Sequence, residues 1–145
     1  MYTTVKFIHS YWAYLVLLML VIATFNALIK YFGKKEFQAQ DFRISLFTLI
    51  VTHIQLLIGV VLFFSAGYIS LIGDMGMKGI MGNDTLRSNI IEHPLTMIAA
   101  VVLITVGYSK HKKKLTSTPK FKMLAIFYTL ALILVLAKIP WKVWF

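Results

Sequence analysis

Four stretches of this chain, residues 7–29, 44–66, 90–109 and 123–137, are apolar and almost free of charge. A helix of about 20 apolar residues crosses the roughly 30 Å hydrocarbon core of a bilayer. Four such runs in 145 residues leave no room for a soluble domain beside them. The predicted fold class is therefore all-α: a polytopic membrane four-helix bundle, with the whole chain, 1–145, as one transmembrane domain. Composition agrees, with 59% hydrophobic residues and a mean hydropathy of +0.80. A soluble domain so apolar would expose large aggregation-prone patches.

The first run is too long for a secretory signal, and no small-x-small cleavage site follows it. Lys30, Lys34 and Lys35 follow instead, as expected of a retained anchor. The net charge of +10 sits mainly in the connections between runs. There it speaks for topology and anionic headgroups rather than nucleic acid. Ten cations lie in the first and third connections. Five (Lys6, Lys78, Arg87, Lys138 and Lys142) lie on the other side. The bias predicts that both termini and the loop between spans two and three face away from the cytoplasm, in the inner (cytoplasmic) membrane of the cell. Tyr2, Tyr11, Trp12, Tyr68, Trp141 and Trp144 then fall near the outer interface, where amphipathic rings are favoured.

The segment 67–89 reads as a long outer loop, with five glycines and the methionines Met75, Met77 and Met81. Asn83-Asp84 offers an N-cap, so the third helix is expected to start near Thr85. Pro94 then lies inside it, removing the hydrogen bond to the Ile90 carbonyl and kinking the helix.

The chain has no cysteine. This excludes disulfides, thiolate zinc sites, iron–sulfur clusters and covalently attached haem. Four histidines remain. His111 lies in the run Lys110-His111-Lys112-Lys113-Lys114 and reads as solvated. His9, His53 and His93 lie in or at the edge of three different spans. A polar side chain in lipid is costly without a partner, and facing helices of a bundle are where imidazoles grip a cofactor. These three are the candidate cofactor and metal ligands, with haem b the first expectation. Copper held by His9, His93 and the outer methionines is the alternative metal reading. Histidines that only join helices are the cofactor-free one.

Helical periodicity puts Ala13, Val16, Leu20, Ala23 and Ala27 on the face of His9, and Met97, Ala100, Ile104 and Gly107 on that of His93. In span two, Ser45, Thr48, Thr52, Gln55 and Gly59 form a small polar stripe with His53 at its edge. Either Gln55 bonds between helices while His53 faces a cofactor, or the reverse. His9 and His93 lie toward the outer side, whereas His53 is roughly 14 Å deep. Axial ligands of one haem need similar depth, which favours His9 with His93. Glu92 is placed to orient an imidazole, engage the partner of a haem propionate or pass a proton. Asn26 reads as interhelical glue.

The segments His9-Ser10, His53-Ile54-Gln55-Leu56-Leu57-Ile58-Gly59 and Glu92-His93, with Ile139-Pro140-Trp141 and the terminal Trp144-Phe145, resemble small four-helix membrane proteins of Bacteroidota labelled cytochrome b-like. The resemblance covers nearly the whole chain. It implies that His9, His53 and His93 all serve the site. The family pattern has a basic residue about four positions after the first histidine. Here that region reads Tyr11-Trp12-Ala13-Tyr14, so Lys6, Lys78 or Arg87 would have to stand in. Together these readings predict a b-type haem protein relaying electrons as a subunit of a larger redox complex or a homo-oligomer, embedded in membrane lipid. A cofactor-free accessory or assembly subunit is the rival, and a complete enzyme is not expected.

Overall fold

The computed structural model describes residues 1–141. Lys142, Trp144 and Phe145, which enter the charge count, the aromatic belt and the resemblance, lie outside the described residues. Among the described residues four helices are long and apolar enough to cross a membrane. Helix α1 spans Tyr2–Phe32 and α2 spans Ala39–Ser65. Then come α3 (Tyr68–Met81), a short turn α4 (Asp84–Leu86) and a π-helical turn (Arg87–Glu92). Helices α5 (His93–Lys113) and α6 (Ser117–Lys138) follow. The helices extend past the apolar runs at most ends, because polar caps and charged turns continue the helix beyond the lipid.

Helix α1 packs on α2 and α6, and α5 packs on α6 and α2. The four long helices therefore stand at the corners of a square, with α1 and α5 on one diagonal. Small and branched residues at helical spacing fill the middle: Leu20, Ala23 and Ala27 of α1 meet Ala100 and Ile104 of α5 and Ala131 of α6. Gly107 lets α5 and α6 approach closely, since a Cβ there would lie 2.5 Å from the Phe127 Cβ. Outward-facing residues are equally apolar, with Leu57 67% and Leu95 62% exposed. A bundle greasy on both its faces belongs in lipid, and the chain is a multi-pass membrane protein.

Polar side chains inside the bundle find partners on neighbouring helices. The Thr48 hydroxyl lies 3.3 Å from the Met19 carbonyl and donates to Ile44 at 2.8 Å. Tyr128 donates to the Ser45 carbonyl at 3.0 Å. The Trp12 indole N–H donates to the Val51 carbonyl at 2.9 Å, joining α1 to α2.

Two expectations about the connections are corrected. The segment expected as an outer loop is mostly helix α3, broken only at Gly76, whose φ of 71° suits a residue without a Cβ. The other concerns Pro94. Asn83 caps the following turn, accepting from the Leu86 N–H at 3.1 Å. The break ahead of Pro94 then takes the form of a π-turn, in which the His93 N–H bonds to the Ser88 carbonyl. A proline N cannot donate to Ile90, and the chain absorbs the missing bond by widening one turn. That turn sets the direction in which His93 enters the bundle.

Candidate cofactor site

The diagonal pair α1 and α5 brings His9 and His93 together near the end of the bundle formed by the start of α1 and the end of α6. Their ring centroids are 6.3 Å apart and their planes are at 82°. The His93 Nδ1–H donates to the Lys138 carbonyl at 2.8 Å. A carbonyl only accepts, so Nδ1 carries a proton, which leaves Nε2 as the nitrogen that could bind a metal. His9 packs on Gly59 of α2, where a Cβ would lie 3.4 Å from its Cε1. Its Nδ1 is buried and has no hydrogen-bond partner among the described residues.

Gln55 settles into one of the two roles open to it. Its Nε2 donates to the His9 backbone carbonyl at 2.9 Å, tying α2 to α1. His53 lies elsewhere. Its Nδ1–H donates to Leu49 at 2.7 Å, and its Nε2 is 3.2 Å from the Thr105 hydroxyl of α5. Both ring nitrogens of His53 thus have polar neighbours, whereas His9 has a buried nitrogen without one. The structure brings two of the three intramembrane histidines into one place and leaves the third as a link between α2 and α5.

Glu92 sits just outside the pair, between two cations. Arg87 Nε donates to it at 3.3 Å and Lys138 Nζ at 3.4 Å. The Arg87 guanidinium also reaches Asp84 at 3.1 Å and the Met81 carbonyl at 2.9 Å. Arg87, one of the cations considered as a propionate partner, is engaged by its own carboxylates. Lys6 lies over the Tyr2 ring at 5.9 Å. Glu92 touches His93 only indirectly: it holds the Lys138 side chain, and the Lys138 carbonyl holds the imidazole.

The methionines Met75, Met77 and Met81 are exposed on α3. Among the described residues no group of three or more His, Asp or Glu side chains converges as a bare metal ion would require. What converges is a pair of imidazoles.

Two features escaped the sequence reading. His111 is not solvated. It is fully buried, with its ring packed among Phe37, Phe42 and Tyr108 and its Nδ1–H bonded to the Tyr108 carbonyl. Its lysine neighbours fan outward from the last turn of α5 and disguise a ring that faces the first connection. Asp41 is buried as well. Its carboxylate accepts from Lys30 at 2.6 Å, Asn26 at 3.0 Å and the Gln38 N–H at 2.9 Å. Asn26 thus acts between helices, as expected. The sequence signal for Asp41 was its position as the N3 residue of a capping box.

Fold and site together define a class: a four-helix, multi-pass membrane bundle with a diagonal pair of histidines inside it. No protein-family model, curated protein or solved structure matches the chain.

Proposed function

We propose that this chain is a b-type haem-binding membrane protein that relays electrons as a subunit of a larger redox assembly, and that His9 and His93 are the residues that would hold the haem iron. The observation that carries this reading is the juxtaposition of the two rings at 6.3 Å. Two imidazoles sharing one metal, each bonded at about 2.0–2.1 Å, hold their centroids roughly 6 Å apart. The donor set also fits. A porphyrin supplies four of the six nitrogens around iron, so two imidazoles complete the site, whereas a bare ion needs further protein ligands.

Bound haem supplies one-electron chemistry. The chain's own residues hold and orient it. The Lys138 carbonyl fixes the His93 tautomer and ring plane, the commonest way a protein aims a histidine ligand. Gly59 leaves space for the His9 ring. His53 acts through the α2–α5 packing rather than on the iron. The expected setting is the inner membrane, with the termini and α3 on the non-cytoplasmic side, as the cation bias supports.

A second reading is supported by the same hydrogen bonds. Gln55 to His9, His53 to Thr105 and His93 to Lys138 join three different helix pairs. A cofactor-free accessory subunit would use all of them as braces. One experiment separates the readings. Protein purified in detergent from haem-replete cells is examined by absorption before and after dithionite, with metal analysis alongside. A Soret band and a reduced α-band of the b type support the haem reading. Colourless, metal-free protein supports the brace, and colourless protein with stoichiometric copper supports a copper-handling site.

A further inference from the structure

A groove of about 480 Å³ runs along the outside of the bundle where α1 and α2 meet, at the end carrying the first connection. Met19 of α1 and Ile44, Phe47 and Ile50 of α2 line it, and Gln40 and Arg43 close one end. The lining is apolar except at that end. Arg43 is exposed and has no ion pair or hydrogen bond to any described residue. The acid closest to it in sequence, Asp41, is buried and committed to Lys30 and Asn26. In the first connection Lys34, Lys35 and Glu36 are exposed as well.

We infer that this groove binds one anionic phospholipid, with an acyl chain along Ile44–Ile50 and the phosphate on Arg43. Charge complementarity selects the occupant. The groove pairs an apolar trough with a single unneutralised guanidinium; every phospholipid offers it a phosphodiester, but an anionic one leaves its attraction undiminished whereas a zwitterionic one adds an ammonium that the guanidinium repels. Length fits as well: from Arg43 to Ile50 the helix rises roughly 10 Å, the reach of the upper part of an acyl chain. A partner helix would need no cation at this position, and a second copy of this chain would bring another guanidinium against it. The inference concerns the lipid-facing surface and stands independently of any haem.

The test is native mass spectrometry of the full chain, released from detergent containing equal amounts of phosphatidylglycerol and phosphatidylcholine. One phosphatidylglycerol should be retained per chain, in preference to phosphatidylcholine. Arg43→Gln should weaken that retention about fivefold, the effect of one interfacial cation. Ile50→Trp, which fills the trough while keeping every charge, should weaken it at least as much. Lys114→Gln, an exposed lysine elsewhere, should leave it unchanged. The inference is overturned if phosphatidylcholine is retained equally or if Lys114→Gln acts as strongly as Arg43→Gln. It is also overturned if Ile50→Trp has no effect, since the lipid would then be held by charge alone. A dimer that retains no lipid would assign the groove to a second copy and overturn it too.

Discussion

The ring centroids of His9 and His93 lie 6.3 Å apart with their planes at 82°, although the helices that carry them occupy opposite corners of the bundle. Substitutions at these residues and at the polar contacts around them test the arrangement.

The first concerns the three intramembrane histidines. His9→Ala and His93→Ala should each abolish a low-spin b-type spectrum, because no neighbouring side chain can replace the imidazole. His53→Ala should leave the spectrum low-spin and cost about 1 kcal/mol of helix packing, the loss of the Thr105 link. Spectra and thermal unfolding of the purified variants report both. A spectrum lost with His53 and retained without His9 would move the site between α2 and α5.

Gly59 gives an independent check on the His9 position. A Cβ there would make an ordinary contact with the ring at 3.4 Å, so Gly59→Ala should be tolerated. Gly59→Val adds two methyl groups against the ring and should displace it. Expected are a stability loss of about 1–3 kcal/mol and a changed spectrum in the holoprotein. Equal behaviour of the two variants would place His9 away from α2.

His111 separates the buried position from the solvated one that its lysine neighbours suggest. His111→Lys would force an ammonium among Phe37, Phe42 and Tyr108. It should cost several kcal/mol, whereas a substitution on a solvated face stays within about 0.5 kcal/mol. His111→Phe should be much milder. Chemical unfolding in mild detergent measures the difference.

The Asp41–Lys30 pair predicts an asymmetry. The Asp41 side chain is fully buried, and that of Lys30 is 27% exposed. Lys30→Met leaves a buried carboxylate with only Asn26 and a backbone N–H, and should cost about 3 kcal/mol. Asp41→Asn leaves an ammonium able to reach water and should cost less. The double variant should recover part of the Lys30→Met loss. Additive effects in that cycle would show that the pair is not coupled.

Topology is tested by fusions. With ten cations in the first and third connections against five elsewhere, a periplasmic reporter after Phe145 should be active outside the cytoplasm. One inserted at Lys113 should report the cytoplasm. The reverse pattern would invert the predicted orientation.

The sequence by itself determined the number of spans, the helical class and the inner faces of α1 and α5. Those follow from hydrophobic length and the 3.6-residue period, which act within one helix. Val16, Leu20, Ala23 and Ala27 are buried on the face shared with His9, and Ala100, Ile104 and Gly107 on that shared with His93. Local chemistry also revealed the Asn83 cap. Depth already favoured His9 with His93, but only the tertiary structure decided which helices stand diagonally and that His53 meets Thr105. It also decided that Gln55 bonds the His9 backbone, that Trp12 turns inward to Val51, and that His111 is enclosed by Phe37, Phe42 and Tyr108. Depth along a helix can be counted from sequence, but the partner of a polar side chain depends on the rotation and neighbour of each helix. In lipid, where both faces of a helix are apolar, the hydrophobic pattern carries little of that information.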